Sequence, residues 1–161
     1  MSSILKVDTI QNTGGTTGLT IDSSGRVLKS NIPYGQFSGP SSDTSGAAVI
    51  DISEYLITGG GMTADTVNNR MIVPVTGLYV VGFNQLVAND SNYVSVRIRK
   101  NGSDVSGSRI QSAQNHQYGA ISGHRIIELA VNDYIEWYVL SGSTIYGGSR
   151  DYNNHYIYLL G

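Results

Sequence analysis

The sequence predicts an all-β fold of short antiparallel strands, arranged as a sandwich or jelly roll. Apolar and polar residues alternate along several segments, which is the period of a strand with one buried face. Turn sequences such as Asn101-Gly102 and Asn132-Asp133 recur between these segments. No stretch of more than about ten residues has a helical period. Short strands at this spacing without helices are typical of an antiparallel sandwich.

Residues 1–33 are predicted to form a separate attachment segment of very short strands. Within it, LTIDSSGRVL predicts a hairpin that turns at residues 22–25. The few apolar side chains of the segment cannot offset the entropy of ordering it, about 1–2 kcal/mol per residue. A frayed tail is the alternative, but a tail does not need alternating β-branched residues. We therefore expect the segment to dock onto another surface through Ile4, Leu5, Val7, Ile10, Leu19, Ile21, Val27 and Leu28.

Residues 34–161 are predicted to form the main domain. In chain order, the alternation predicts four strands with one core-facing side each. The predicted core residues are Val94, Val96 and Ile98, then Ile127, Leu129 and Val131, then Ile135, Trp137 and Val139, and finally Ile157 and Leu159.

Four segments of this domain match a known order of motifs. Pro74, Gly77 and Tyr79 form a Pro-x-x-Gly-x-Tyr corner before a long strand, and VSVRIRKNG at 94–102 ends in a Lys-Asn-Gly turn. IIELAVNDYIEWYV at 126–139 follows the pattern of a Leu-x-x-Gly-Asp-x-Val hairpin, and YIYLLG closes the chain. Together they resemble the complement-head and tumour-necrosis-factor jelly roll. This resemblance implies a homotrimer whose threefold axis is packed with aromatic and apolar side chains.

The opening MSSILKVDTIQNTGGTTGLTIDSSGRVL has a resemblance of its own. It is similar to an N-terminal segment that recurs in structural proteins of tailed bacteriophages. This resemblance implies a protein of the virion surface that binds a phage capsid or tail protein through residues 1–33. A trimeric capsid decoration or head-fibre protein is one expectation. A short tail fibre or receptor-binding protein that recognises host surface glycan is the other.

The surface is expected to be polar but weakly charged. Charged residues make up 14% of the chain, against about 25% in a typical domain, and 11 residues are tyrosine. Low charge suits contact with other subunits or with sugars. Tyr118 lies in a loop with several amide side chains, the residue types that stack on a sugar and bond its hydroxyls. Tyrosines predicted to contact a trimer partner or a glycan are Tyr79, Tyr138, Tyr146, Tyr152, Tyr156 and Tyr158.

Neither an enzyme nor a cofactor site is expected. The three histidines lie apart, and no nucleophile elbow, zinc-protease motif or phosphate-binding loop is present. The chain has no cysteine, which excludes thiolate metal sites. Asp90, Asp104, Asp133 and Asp151 lie in predicted turns, where they are either calcium ligands or solvated turn residues. Solvated turn residues are the favoured interpretation, because no Asp-x-Asp-x-Asp cluster brings together the six to eight oxygens that calcium binds.

Two classes of partner are also not expected. A net charge of -2 argues against nucleic acid, whose binding needs clustered Lys and Arg. No apolar run reaches the length of about 18 residues that a membrane span requires.

Overall fold

The secondary structure of the described residues is entirely β. The computed structural model describes residues 7–29, 31–88, 93–112, 118–140, 142–148 and 151–160. The chain divides into two units, Met1–Ile32 and Pro33–Gly161. This division falls one residue before the boundary expected from the sequence.

The first unit contains a small antiparallel sheet. Strands β1 (Thr9–Gln11), β2 (Thr17–Ile21) and β3 (Val27–Leu28) lie in that order. The predicted hairpin is confirmed, since Asp22 closes its turn by accepting hydrogen bonds from the backbone N–H groups of Ser24 and Arg26, both at 2.9 Å. None of the described residues in this unit is buried.

Apolar side chains of this unit are only partly covered. Without a buried residue, the described part of the sheet has no core to hold it together. Of the residues predicted to attach the chain to a partner, Val7, Leu19 and Ile21 are half-buried, Ile10, Val27 and Leu28 are exposed, and Ile4 and Leu5 lie outside the described residues.

The second unit is built from two antiparallel sheets. Its described strands are β4 (Tyr34–Phe37), β5 (Thr44–Ser45), β6 (Ala48–Val49), β7 (Ile57–Gly59), β8 (Thr63–Asp65), β9 (Arg70–Ile72), β10 (Gly77–Leu86), β11 (Ser95–Lys100), β12 (Ser103–Asp104), β13 (Ile110–Gln111), β14 (Ala120–Leu129), β15 (Tyr134–Val139), β16 (Thr144–Ile145) and β17 (Asn154–Leu159). One sheet has five strands in the order β14-β10-β17-β4-β7. The second has the order β12-β11-β15-β9-β8, with β13 on β11 and β6 on β15. Strands β5 and β16 pair separately.

The core contains buried side chains of both sheets. Trp137 of β15 donates from its indole Nε1 to the carbonyl of Gly82 in β10, at 3.1 Å, which connects the two sheets. Its ring also meets Phe37 edge-on at 5.2 Å. Most predicted core residues are buried as expected, and Leu159 is half-buried. The prediction for Val131 is wrong, because β14 ends at Leu129 and Val131 is exposed in the following turn.

Tyr79 belongs to the core. Alternation along β10 turns it inward with Val81 and Phe83, and none of its surface is exposed. Its hydroxyl donates to the Val75 carbonyl at 2.9 Å, and burial raises the pKa of the phenol. The predicted role of Tyr79 as a trimer or glycan contact is therefore wrong, because a side chain with no exposed area meets neither.

His155 lies fully buried among aromatic rings. Its imidazole stacks on Phe37 at 4.4 Å and meets the edge of Trp137 at 5.7 Å. Neither ring nitrogen has a hydrogen-bond partner among the described residues. Burial lowers the pKa of His155 to about 3. Folding therefore requires the neutral imidazole.

His155→Phe should remove part of the acid sensitivity of the fold. The pKa of His155 is lower in the folded chain than in the unfolded chain, so the unfolded state binds the extra proton. The free energy of unfolding therefore falls as pH drops below about 6.5, by about 3 kcal/mol at pH 4.5. Urea unfolding of both proteins at several pH values measures the difference. An equal fall in the variant would contradict the assignment, since the carboxylates are the same in both proteins.

Candidate functional site

A row of apolar side chains crosses the outer side of the five-stranded sheet. Val80 of β10 pairs with Ile126 of β14 on one side and with Tyr158 of β17 on the other, and Tyr158 pairs with Tyr34 of β4. Paired residues share a face, and neighbouring Tyr79 points into the core. The row therefore points away from the core.

This outer side is apolar and exposed over its width. Six of its large side chains have between 40% and 58% of their area exposed: Tyr34, Ile57, Leu78, Ile126, Tyr158 and Leu160. These six, with the more covered Val80 and Tyr156, are called the apolar face below. Among the described strand residues that point outward from this sheet, Glu128 is the only one with a formal charge at neutral pH.

Two glycines allow tyrosine rings to lie flat on this face. A methyl group at Gly82 would clash with the ring of Tyr156, and one at Gly59 would clash with the ring of Tyr34. The rings of Tyr156 and Tyr158 stack at a centroid distance of 6.3 Å. The rings of Tyr34, Tyr156 and Tyr158 therefore cover part of the apolar face.

The outer side of the second sheet has the opposite chemistry. Asp104 of β12 pairs with Arg97 and Arg99 of β11, and Arg70 pairs with Asp65 at 2.9 Å. Tyr138 lies under the guanidinium of Arg99, 3.2 Å from the ring centroid. These charged side chains pair with one another within the chain. The structure thus separates Tyr138 from Tyr156 and Tyr158, which belong to the other sheet.

A second grouping of tyrosines lies where β10 ends. Tyr118 and Tyr146 meet edge to face at 5.8 Å, and Tyr146 meets Tyr152 in the same way at 6.4 Å. With Leu86 these rings line a cleft of about 360 Å³, called the tyrosine cleft below. The structure thus brings Tyr146 and Tyr152 together and places Tyr156 and Tyr158 on the apolar face.

The loop aspartates in the described residues have partners within the chain. The carboxylate of Asp133 accepts from Lys100 Nζ at 2.8 Å and from Asn101 Nδ2 at 2.7 Å. The Lys100 contact is the largest cause that lowers the pKa of Asp133 to about 2. Asp90 lies outside the described residues. In the described ranges, no three His, Asp or Glu side chains converge as a metal site would need, and no helix has the length and apolar character to cross a membrane.

The sequence prediction missed most of the apolar face. It assigned Ile126 to the side of its strand away from the core but gave no role to that side. The sequence signal for this face is two pairs of adjacent apolar residues, Val80-Val81 and Ile126-Ile127. In a strand with one solvent-exposed side, apolar and polar residues should alternate instead. Such pairs mark strands that have apolar side chains on both sides.

Comparison with solved structures agrees with this architecture. The chain is similar to the structure of Eiger TNF from S. frugiperda, with a TM-score of 0.59 over 81% of this chain and 94% of that chain. Sequence identity is 14%, so the likeness establishes the fold alone: an all-β, TNF-like jelly roll. No protein-family model matches the chain, and no curated protein sequence matches it.

Gly82→Ala should destabilise the domain only while the Tyr156 ring is present. The added methyl displaces that ring, at a cost of about 1–3 kcal/mol. In a Tyr156→Ala background the ring with which the methyl would clash is absent. We therefore expect it to be neutral or slightly stabilising there, because alanine loses less backbone entropy than glycine on folding. Unfolding free energies of the four proteins test this, and an equal cost in both backgrounds would contradict the packing described.

Proposed function

We propose that this chain is a non-enzymatic structural protein of a bacteriophage virion. In the proposed assembly, three copies meet through their apolar faces, and residues 1–33 attach the trimer to a phage capsid or tail protein. The protein then lies on the virion surface, without membrane insertion and without binding nucleic acid.

The apolar face is the observation that carries the proposal of a trimer. Exposed apolar patches on this scale are typical of surfaces that meet other proteins. Covering the exposed half of each large side chain is worth roughly 1 kcal/mol, so the six together contribute about 6 kcal/mol per copy. That is comparable with the cost of association, about 4–15 kcal/mol. Three copies around one axis cover all three faces at once, and the TNF-like fold is consistent with this arrangement.

The first unit supports the proposal of an anchor. Its described strands carry apolar residues but none is buried, so the sheet gains little from its own packing. A surface that covers Ile10, Val27 and Leu28 would supply the missing burial. The resemblance of this segment to phage structural proteins supports a virion as that surface.

Two positions on the particle are compatible with the proposal. We favour a capsid decoration or head-fibre protein, because no long shaft lies between residues 1–33 and the jelly roll. A short tail fibre or receptor-binding protein is the second candidate, and the tyrosine cleft favours it. Separating heads from tails of purified particles, and detecting the chain in each fraction by mass spectrometry, distinguishes the two positions.

Ile126→Asp should break the trimer and leave the fold intact. In one copy the side chain is exposed, but in the assembly a carboxylate would be buried without a partner. Val67→Asp is the matched control, because Val67 is 89% exposed in a turn next to the second sheet. Light scattering after gel filtration should give a single-chain mass for Ile126→Asp and a trimer mass for the control. Equal masses for the two variants would overturn the proposed interface.

Deletion of the first unit, residues 1–32, should separate assembly from attachment. The second unit contains all the residues of the hydrophobic core, so the truncated chain should fold and form trimers. It should not join particles when supplied to a phage that lacks the full-length protein. A truncated chain that still joins particles would contradict the proposed anchor.

A further inference from the structure

The tyrosine cleft is held in shape by buried amides. The Tyr146 carbonyl accepts from Asn153 Nδ2 at 2.7 Å and from Gln85 Nε2 at 3.0 Å. Asn153 also accepts the backbone N–H of Leu86 at 2.9 Å, which ties two residues of the cleft to one side chain. Gln85 and Asn153 are both buried. The wall that carries Tyr146 is therefore fixed before any ligand arrives, which lowers the entropic cost of binding.

The backbone holds Tyr118 in a left-handed conformation. Its backbone N–H donates to the Val87 carbonyl at 2.9 Å, and its φ of 61° lies in the left-handed region. That region costs a residue with a side chain about 1–2 kcal/mol. The ring does not recover this energy by burial, because 58% of the residue is exposed. Backbone strain at a residue whose ring stays exposed is typical of binding sites.

The lining defines the chemistry of a ligand. The four described lining residues carry no charge, so they give a charged ligand no partner for the hydration it would lose. Three aromatic rings offer apolar faces, and each phenol both donates and accepts hydrogen bonds. A volume of about 360 Å³ lies at the small end of ligand sites, about 300–1,000 Å³. A sugar ring fits this description, since it has a C–H face and neutral hydroxyls around its rim.

The cleft is also set apart from the apolar face. Leu86 lies six residues beyond Val80 on β10, which is roughly 20 Å along the strand. A trimer centred on the row of Val80 therefore does not need the cleft.

We propose that the tyrosine cleft binds one ring of a neutral saccharide, with the C–H face of the sugar against the exposed rings and its hydroxyls bonded to the phenols. This inference deepens the receptor-binding candidate above by giving it a site and a ligand class. It requires neither the trimer nor the anchor.

Titration of the full chain with four neutral trisaccharides tests the proposal: maltotriose, cellotriose, mannotriose and N,N′,N″-triacetylchitotriose, each followed by saturation-transfer NMR. We expect at least one to bind with a Kd below about 10 mM. Tyr152→Ala and Tyr118→Gly should each weaken that binding about tenfold or more. Glycine suits the backbone of Tyr118, so this variant should fold. Tyr55→Gly is the matched control, because Tyr55 is exposed, has a φ of 47° and does not line the cleft. It should bind as the unaltered chain does.

Two results would overturn the proposal. One is that none of the trisaccharides binds, and the other is that binding survives both cleft substitutions. If no sugar binds and the cleft variants lose the trimer, the cleft is a contact between copies. That result would still be compatible with the proposed role as a structural protein of the virion. An Ile126→Asp chain that still forms trimers and still binds sugar would have a different meaning. It would support the cleft as a saccharide site and would overturn the proposed trimer interface.

Discussion

The two outer sheet faces differ in polarity, and this difference determines which of them is stable in contact with water. On one sheet, Arg97 and Arg99 both pair with Asp104, and a face that carries charged side chains is stable in water. On the other, large apolar side chains from all five strands are half-exposed, and Glu128 is the one formal charge among the described outward strand residues. A sheet with one apolar side already buried gains nothing in water from a second. The second apolar side becomes favourable only when another surface covers it.

The strands were predictable because local alternation and turn chemistry act over a few residues. Ile135, Trp137 and Val139 alternate with more polar neighbours, and their burial follows from that pattern. The same pattern does not predict which way Tyr79 faces, because it lies in Leu-Tyr-Val-Val, where apolar residues occupy both sides of the strand. Alternation cannot choose the inward side there. The choice is made by packing with the second sheet, which the local sequence does not contain.

The candidate sites were predictable in residue type but not in position. Tyrosine content and low charge indicated contact surfaces, yet the structure distributes those tyrosines over the core, both sheets and one end of the domain. Tyr146 meets both Tyr118 and Tyr152 only because buried amides and backbone bonds bring distant loops to the end of β10. Contacts between residues far apart in sequence are the part of a site that composition and spacing cannot supply.

Hydroxyl-radical footprinting of the intact, unaltered chain measures whether the apolar face is covered in solution. Tyr34, Tyr158 and Tyr93 are exposed to similar extents in a single copy, at 44%, 40% and 46%. Tyr34 and Tyr158 lie on the apolar face and Tyr93 does not. We expect Tyr34 and Tyr158 to be protected from oxidation and Tyr93 to be oxidised. Equal oxidation of all three would show that the apolar face stays open to water, and would contradict the account.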